Sequence, residues 1–387
     1  MNERQLSRLC SMENVASIDN LFLASARARR GKTRRPDVEA WWMRREVEVA
    51  ALREELLDGS YVPGPYRFFT IHEPKYREIA AAPFRDRVVH HALCNFMGSL
   101  LARRFIARSF SCQVGKGTTA ARECCRRLTN RHRYVLKCDV RSFYESIDHA
   151  ILLSKLGDVV GCERVMGLIN RIVAGYKSEK VPTFLPGDDW VDAAQRPRGL
   201  PIGNLTSQLW GNFYLDALDH RVTEGERHGS YLRYTDDFLI FSDEKSRLWA
   251  LREVASVELA SVRLRFAEPK TRVLATKEGV PFCGFRFLPG LRPRILGITK
   301  RRFERRRYQL KKAGDIKRLG VSVFSWYQFS REGNTEGLRR SYARWPLDAR
   351  LKRRRGKTSR GSRCVVEQQQ PREPVVLESQ QQQPRQP

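Results

Sequence analysis

The residues in this chain best suited to chemistry are carboxylates. The segment "RYTDDFLIF", Arg233 to Phe241, sets Asp236 and Asp237 side by side between apolar, strand-like stretches. Adjacent like charges repel, and a carboxylate withdrawn from water is costly unless something neutralises it. Two answers fit. Asp is a favoured turn residue, so the pair can be a solvated hairpin bend. The other answer is a site for a hard cation, which takes oxygen ligands. A third carboxylate, Asp139, closes "RYVLKCDV" (133–140), where Val135, Lys137 and Asp139 share one face of a strand. Tyr134, Leu136 and Cys138 share the other. Carboxylates at strand ends are what two Mg²⁺ ions need to clamp the attacking and leaving oxygens of an in-line phosphoryl displacement. On spacing alone the solvated turn is the commoner reading; the strand-end Asp139 and the net charge of +29 bring the metal site level with it.

The charge balance bears on what such a site would serve. Among 387 residues, 72 are Lys or Arg and 43 are Asp or Glu, a net charge of +29. That excess favours a polyanionic partner, nucleic acid above all, over a merely solubilising surface. A membrane partner fits less well, because no segment approaches the ~20 apolar residues of a span. The opening "MNERQLSRLC" has no apolar signal core. Nine cysteines include no CxxC pair, so neither a zinc ribbon nor a disulfide framework is indicated, and adjacent Cys124 and Cys125 read as free thiols. A reduced, cytoplasmic protein is the expectation.

The elements that must position these carboxylates follow from periodicity. Residues 37–58 read as one helix with Val49, Leu52 and Leu56 on its apolar face, stopped at Gly59. A strand, a turn at Glu73-Pro74-Lys75 and a return strand come next. Residues 85–105 are helical, and "FYESIDHAILLSKLG" continues as a helix after the Asp139 strand. A Pro/Gly-rich loop spans 178–200. The helical "NLTSQLWGNFYLDALDHRV" follows, with Asn204 as its N-cap. Beyond the Asp pair lie a helix over 244–263, short strands through "VPFCGFRFLPG", and a basic helix from Lys300 with Phe303 and Tyr308 facing inward. A Trp/Tyr-bearing helical stretch ends near Leu347. The Gln/Pro-rich tail is compositionally disordered.

The ordered blocks resemble reverse transcriptases. "YTDD" between apolar strands is similar to the family's YxDD box, and "DVRSFYESIDHAIL" to its first palm-aspartate motif. "GLPIGNLTSQLWGNFYLDALDH" resembles the helix underlying template and nucleotide, "RFAEPKT" the lysine motif, and "FCGFRF" the primer-grip hairpin. "PKYREIAAAPFRDRVVHHAL" and "SFSCQVGKGTTAAREC" resemble the fingers motifs. The resemblance covers roughly residues 60–290. It implies an α+β right-hand polymerase with fingers, an antiparallel palm sheet and a short helical thumb. The divisions expected are an N-terminal helical segment (1–59), fingers and palm (60–295), a thumb (296–347) and a basic then Gln/Pro-rich tail (348–387).

The same resemblance assigns roles. Asp139, Asp236 and Asp237 become catalytic ligands of two Mg²⁺ ions. Tyr144 matches the aromatic gate beneath the sugar, Arg77 the fingers arginine on the triphosphate, and Lys270 a lysine near the leaving group. Arg85 and Arg87 are weaker nucleotide candidates, since either can simply pair with acidic neighbours. Gly203 would let backbone approach the substrate. Arg301, Arg302, Arg305 and Arg306 fit a thumb helix on the phosphate backbone of a duplex; a solvated charged face is the alternative. His149 reads as a structural helix residue.

Many members carry QGxxxSP where this chain reads Ile202-Gly203-Asn204-Leu205-Thr206-Ser207-Gln208. The IGxxxSQ variant resembles reverse transcriptases of diversity-generating retroelements, which copy a template RNA with misincorporation opposite adenines. An apolar Ile202 would lose a polar contact that checks geometry. The implied partners are template RNA, a primer, deoxynucleoside triphosphates and a small basic accessory protein forming an oligomeric ring. Rival readings are a group II intron, retron or phage-defence reverse transcriptase, and a non-catalytic RNA-binding scaffold with the same fold.

Overall fold

The computed structural model describes residues 7, 9–71, 76–179 and 188–343. The central feature is a four-stranded antiparallel sheet of order β4-β5-β3-β6 (Tyr231–Tyr234, Asp237–Ser242, Tyr134–Asp139, Arg272–Ala275). An N-terminal hairpin pairs β1 (Arg67–Ile71) with β2 (Arg77–Ala81), and a small sheet joins β7 (Val280–Phe282), β8 (Phe285–Phe287) and β9 (Arg294–Ile295). The expected turn at Glu73-Pro74-Lys75 lies outside the described residues.

Alternation along β3 splits the core in two. Leu136 and Cys138 face a large core shared with the helices Phe84–Ala102, Leu205–Tyr214 and Lys245–Ser261. Val135 faces a second core with Leu239, Phe241, Phe282 and Phe285, closed by Ala121, Cys125 and Leu128 of helix Thr118–Arg131. Asp139 belongs to this second face by periodicity, at its open end. Cys124 and Cys125 are buried free thiols.

Arg122 ties that face together. Its Nε donates to the carbonyl of Cys283 (3.1 Å), its Nη1 pairs with Glu332 (2.8 Å), and its guanidinium stacks over Phe285 and Phe329. Cys283 and Gly284 form the β7–β8 turn with φ of 42° and 88°, the signs of a type I′ hairpin.

Several expected helices are interrupted. The 37–58 helix divides at Arg44 into Pro36–Met43 and Arg45–Asp58, with Val49, Leu52 and Leu56 buried and Gly59 capping at φ 81°. After β3, Phe143–Ser146 stops at Ile147, because Asp148 turns extended to cap His149–Gly157 through the Ile151 N–H. The helix from Leu205 breaks at Leu215 and resumes at Asp216–His220. Asn204 stands at the N-cap position, but its side chain donates to the Tyr66 hydroxyl instead. The loop expected over 178–200 contains a short helix, Trp190–Gln195.

The helices Gly297–Lys312 and Ile316–Ser330 form an antiparallel pair whose interface stacks Phe303 on Trp326 at 4.3 Å. Tyr308 does not face inward: five residues on, it is turned ~140° from Phe303 and is 67% exposed. Residues through Thr335 make one compact unit. A second unit begins at Glu336, and its helix Glu336–Ala343 carries an Arg340–Glu336 ion pair one turn apart. Among the described residues, no helix is long and apolar enough to cross a membrane.

Candidate active site

Antiparallel register between β3 and β5 sets Asp139 directly opposite Asp237, and Asp236 precedes it in the β4–β5 turn. The Val140 N–H donates to the Asp236 carbonyl (3.3 Å), fastening the turn to the end of β3. The turn residue Thr235 has φ 60°, whereas Asp236 does not lie at positive φ. That is the sign pattern of a type II′ turn, where glycine is the usual first central residue. A β-branched residue there carries strain of about 1–3 kcal/mol.

The charges of the three carboxylates are only partly balanced by neighbouring cations. Lys137, two residues before Asp139 on the same strand face, places Nζ at 2.6 and 2.8 Å from the two carboxylate oxygens of Asp237. Lys270 donates to Asp139. Two ammonium groups against three carboxylates leave one negative charge. Burial raises Asp237, with Lys137 opposing the shift. Burial likewise pushes Asp236 up to about 6, and repulsion from Asp139 and Asp237 adds to it. No trio of His, Cys, Asp or Glu among the described residues converges closely enough to hold an ion as it stands. The three aspartates share one sheet end, yet two are engaged by lysines. As a donor set they nonetheless suit a hard divalent cation: all are oxygen ligands, and they repel one another.

The other expected residues fall around this edge or away from it. Tyr144 is half-buried against Phe143, and a Cβ at Gly211 would lie 3.1 Å from its ring, so a larger residue on the helix beneath would press on the tyrosine. Gly203 has φ 120°, and a Cβ would meet Ile79 at 3.2 Å. Ile202 is half-buried, and Gln208 is exposed, its Oε1 accepting from the Cys112 thiol. Arg77 is exposed at the start of β2. Arg85 pairs with Glu55, a structural role. His149 is buried and bonded to the Gly199 carbonyl, also structural. Arg301, Arg305 and Arg306 are exposed and Arg302 half-buried, all on one helix.

Sequence reasoning missed Lys137 as a partner of Asp237, although its place on the aspartate face was a usable signal. It also missed Lys32 and Arg35. These join Arg87, Phe69, Gly203 and Gln208 around a cavity of about 350 Å³, and nothing in the local pattern links the N-terminal segment to that groove.

The family model described as "Reverse transcriptase (RNA-dependent DNA polymerase)" matches residues 71–287, more than half of the chain. Protein YkfC of Escherichia coli (strain K12) is 26% identical over 283 residues, covering 62% of this chain and 71% of YkfC. The family match spans the strand pair carrying the three aspartates, the Gly203–Gln208 segment and the β7–β8 hairpin. The chain belongs to the reverse transcriptase family and is an RNA-directed DNA polymerase.

Proposed function

We propose that Asp139, Asp236 and Asp237 hold two Mg²⁺ ions for nucleotidyl transfer from a deoxynucleoside triphosphate to a primer 3′-hydroxyl. The observation that carries this reading is the cross-strand pairing of Asp139 with Asp237, with Asp236 raised by burial and by both neighbours. Bound Mg²⁺ supplies acidification of the attacking hydroxyl and neutralisation of phosphate charge. The chain's own groups do the rest. The aspartates offer oxygen ligands along one strand end. Lys137 and Lys270 hold Asp237 and Asp139 until those ligands are needed. Lys270, with its side chain 47% exposed, is the freer of the two to turn toward a leaving pyrophosphate. Tyr144 underlies the sugar, and Arg77 grips the triphosphate with a rigid fork.

Around this centre the reading is a right hand: fingers from the β1–β2 hairpin and helix Phe84–Ala102, a palm from the four-stranded sheet, and a thumb from the paired helices after Gly297. Arg301, Arg302, Arg305 and Arg306 serve as phosphate contacts to the template–primer duplex. The subtype is that of a diversity-generating retroelement, error-prone at template adenines and working with a small basic ring-forming partner. Ile202 and Gln208, flanking Gly203 with its positive φ, support it.

Primer extension on an RNA template with Mg²⁺, comparing wild type with Asp236→Ala, tests the chemistry. cDNA from the wild type alone is the expected result, and equal product from both proteins overturns the assignment of Asp236. Sequencing the product tests the subtype, since faithful copying of template adenines excludes the mutagenic reading.

A further inference from the structure

The turn that carries Asp236 and Asp237 is held from below by a guanidinium that touches neither carboxylate. Arg233 lies on β4, three residues before Asp236, with 0% of its surface exposed. All five of its N–H donors are used. Nε donates to Asp219 Oδ1 (2.7 Å) and Nη2 to Asp219 Oδ2 (2.5 Å). Nη2 also reaches the Asn212 carbonyl (3.0 Å), while Nη1 donates to Asn212 Oδ1 (2.9 Å) and to the carbonyl of Thr235 (3.0 Å). Asp219 is further engaged by the Tyr231 hydroxyl. The network is complete, so the fork has one geometry available to it.

The last of those bonds matters most. Thr235 is the left-handed, β-branched residue that separates Arg233 and Tyr234 from the aspartate pair. Left to its own preference, it would leave that conformation. Two bonds hold it: Arg233 on its carbonyl, and its own hydroxyl donating to Ser111 Oγ (3.0 Å). Through Asn212, the same guanidinium grips helix Leu205–Tyr214, which begins beside Gly203 and carries Gln208.

We infer that Arg233 is a positioning residue for the metal-binding turn. Its fork locks the Thr235 carbonyl to Asn212 and Asp219, so that Asp236 and Asp237 are presented in fixed register with Asp139. This rests on the reading that the three aspartates bind metal.

The test measures Mn²⁺ binding to the nucleic-acid-free protein, together with amide hydrogen exchange across residues 234–238 in EDTA. Arg233→Lys keeps the charge and loses the fork. Asn212→Ala removes one acceptor and serves if the lysine variant fails to fold. Both are expected to weaken Mn²⁺ binding, about tenfold for Arg233→Lys and less for Asn212→Ala, and to speed exchange in the turn. Adding Thr235→Gly, which adopts positive φ freely, is expected to restore most of the affinity in either background. Simple loss of structural support would not be rescued that way. Equal Mn²⁺ binding by wild type and variants, or absence of rescue by Thr235→Gly, overturns the inference. A wild type that binds no Mn²⁺ overturns the metal reading itself, and the clamp with it.

Discussion

Lys137 and Asp237 face each other across the β3–β5 ladder, one ammonium 2.6 and 2.8 Å from both oxygens of one carboxylate. The lysine side chain is 15% exposed, so the pair is poorly screened by water. Lys137→Met leaves Asp237 desolvated without a partner. In EDTA the variant is expected to lose about 1–3 kcal/mol of stability. Millimolar Mg²⁺ should recover much of that loss, since the ion takes over the missing charge. Paired thermal melts check this, and a variant melting like wild type in EDTA would remove Lys137 from the site's electrostatics.

Asp236 shows the opposite balance. Its carboxyl, raised to about 6, is a net burden on the metal-free fold at neutral pH. Asp236→Asn is expected to stabilise the protein in EDTA by about 1–3 kcal/mol while abolishing cDNA synthesis. Denaturant unfolding and primer extension on one preparation measure both effects. A destabilised variant would show that the repulsion is already relieved elsewhere.

Acid sensitivity should trace in part to His90. Burial depresses this buried imidazole to about 3, aided by His91 and Arg87. The unfolded chain binds that proton near pH 6.5 and the folded chain does not. Its contribution is therefore fully present above about pH 6.5 and declines as the pH falls toward 3, by at most about 1.4 kcal/mol per unit. Urea melts of wild type and His90→Leu from pH 7 to pH 5 should diverge in slope, with the variant flatter. Parallel slopes would assign the sensitivity to other groups.

Ile202→Gln restores a polar side chain at the position where many family members carry glutamine. Misincorporation opposite template adenines is expected to fall several-fold with little change in overall stability, because Ile202 is only half-buried. Product sequencing reads the outcome. An unchanged error spectrum would separate Ile202 from fidelity.

Much of this site is legible in the sequence. The two-faced alternation of Tyr134–Asp139 and the helix stopping at Gly59 follow from short-range periodicity and turn chemistry, and both are observed; the bend expected at Asp236 and Asp237 falls one residue earlier, at Thr235 and Asp236, with Asp237 opening β5. The breaks at Arg44, Ile147 and Leu215 escaped because the patterns they interrupt remain helical in composition, the one at Ile147 being set by the local Asp148 cap. The rest was decided by longer-range partners. Asn204 forsakes its cap for Tyr66, which is 138 residues away. Thr235 in "YTDD" gains its meaning from a left-handed backbone and from Ser111, 124 residues distant. Arg233 reads as an ordinary strand arginine until Asp219 and Asn212 are seen around it.

Arg122 gives the molecule a mechanical linkage. It grasps the Cys283 carbonyl at the β7–β8 turn and, with its other hand, Glu332 just past helix Ile316–Ser330. Phe282, next to that turn, lies 6.0 Å from the ammonium of Lys137. Any displacement of the helices Gly297–Lys312 and Ile316–Ser330 would therefore be felt at the turn, as a lever is felt at a latch, and the load would arrive beside the cation that holds Asp237.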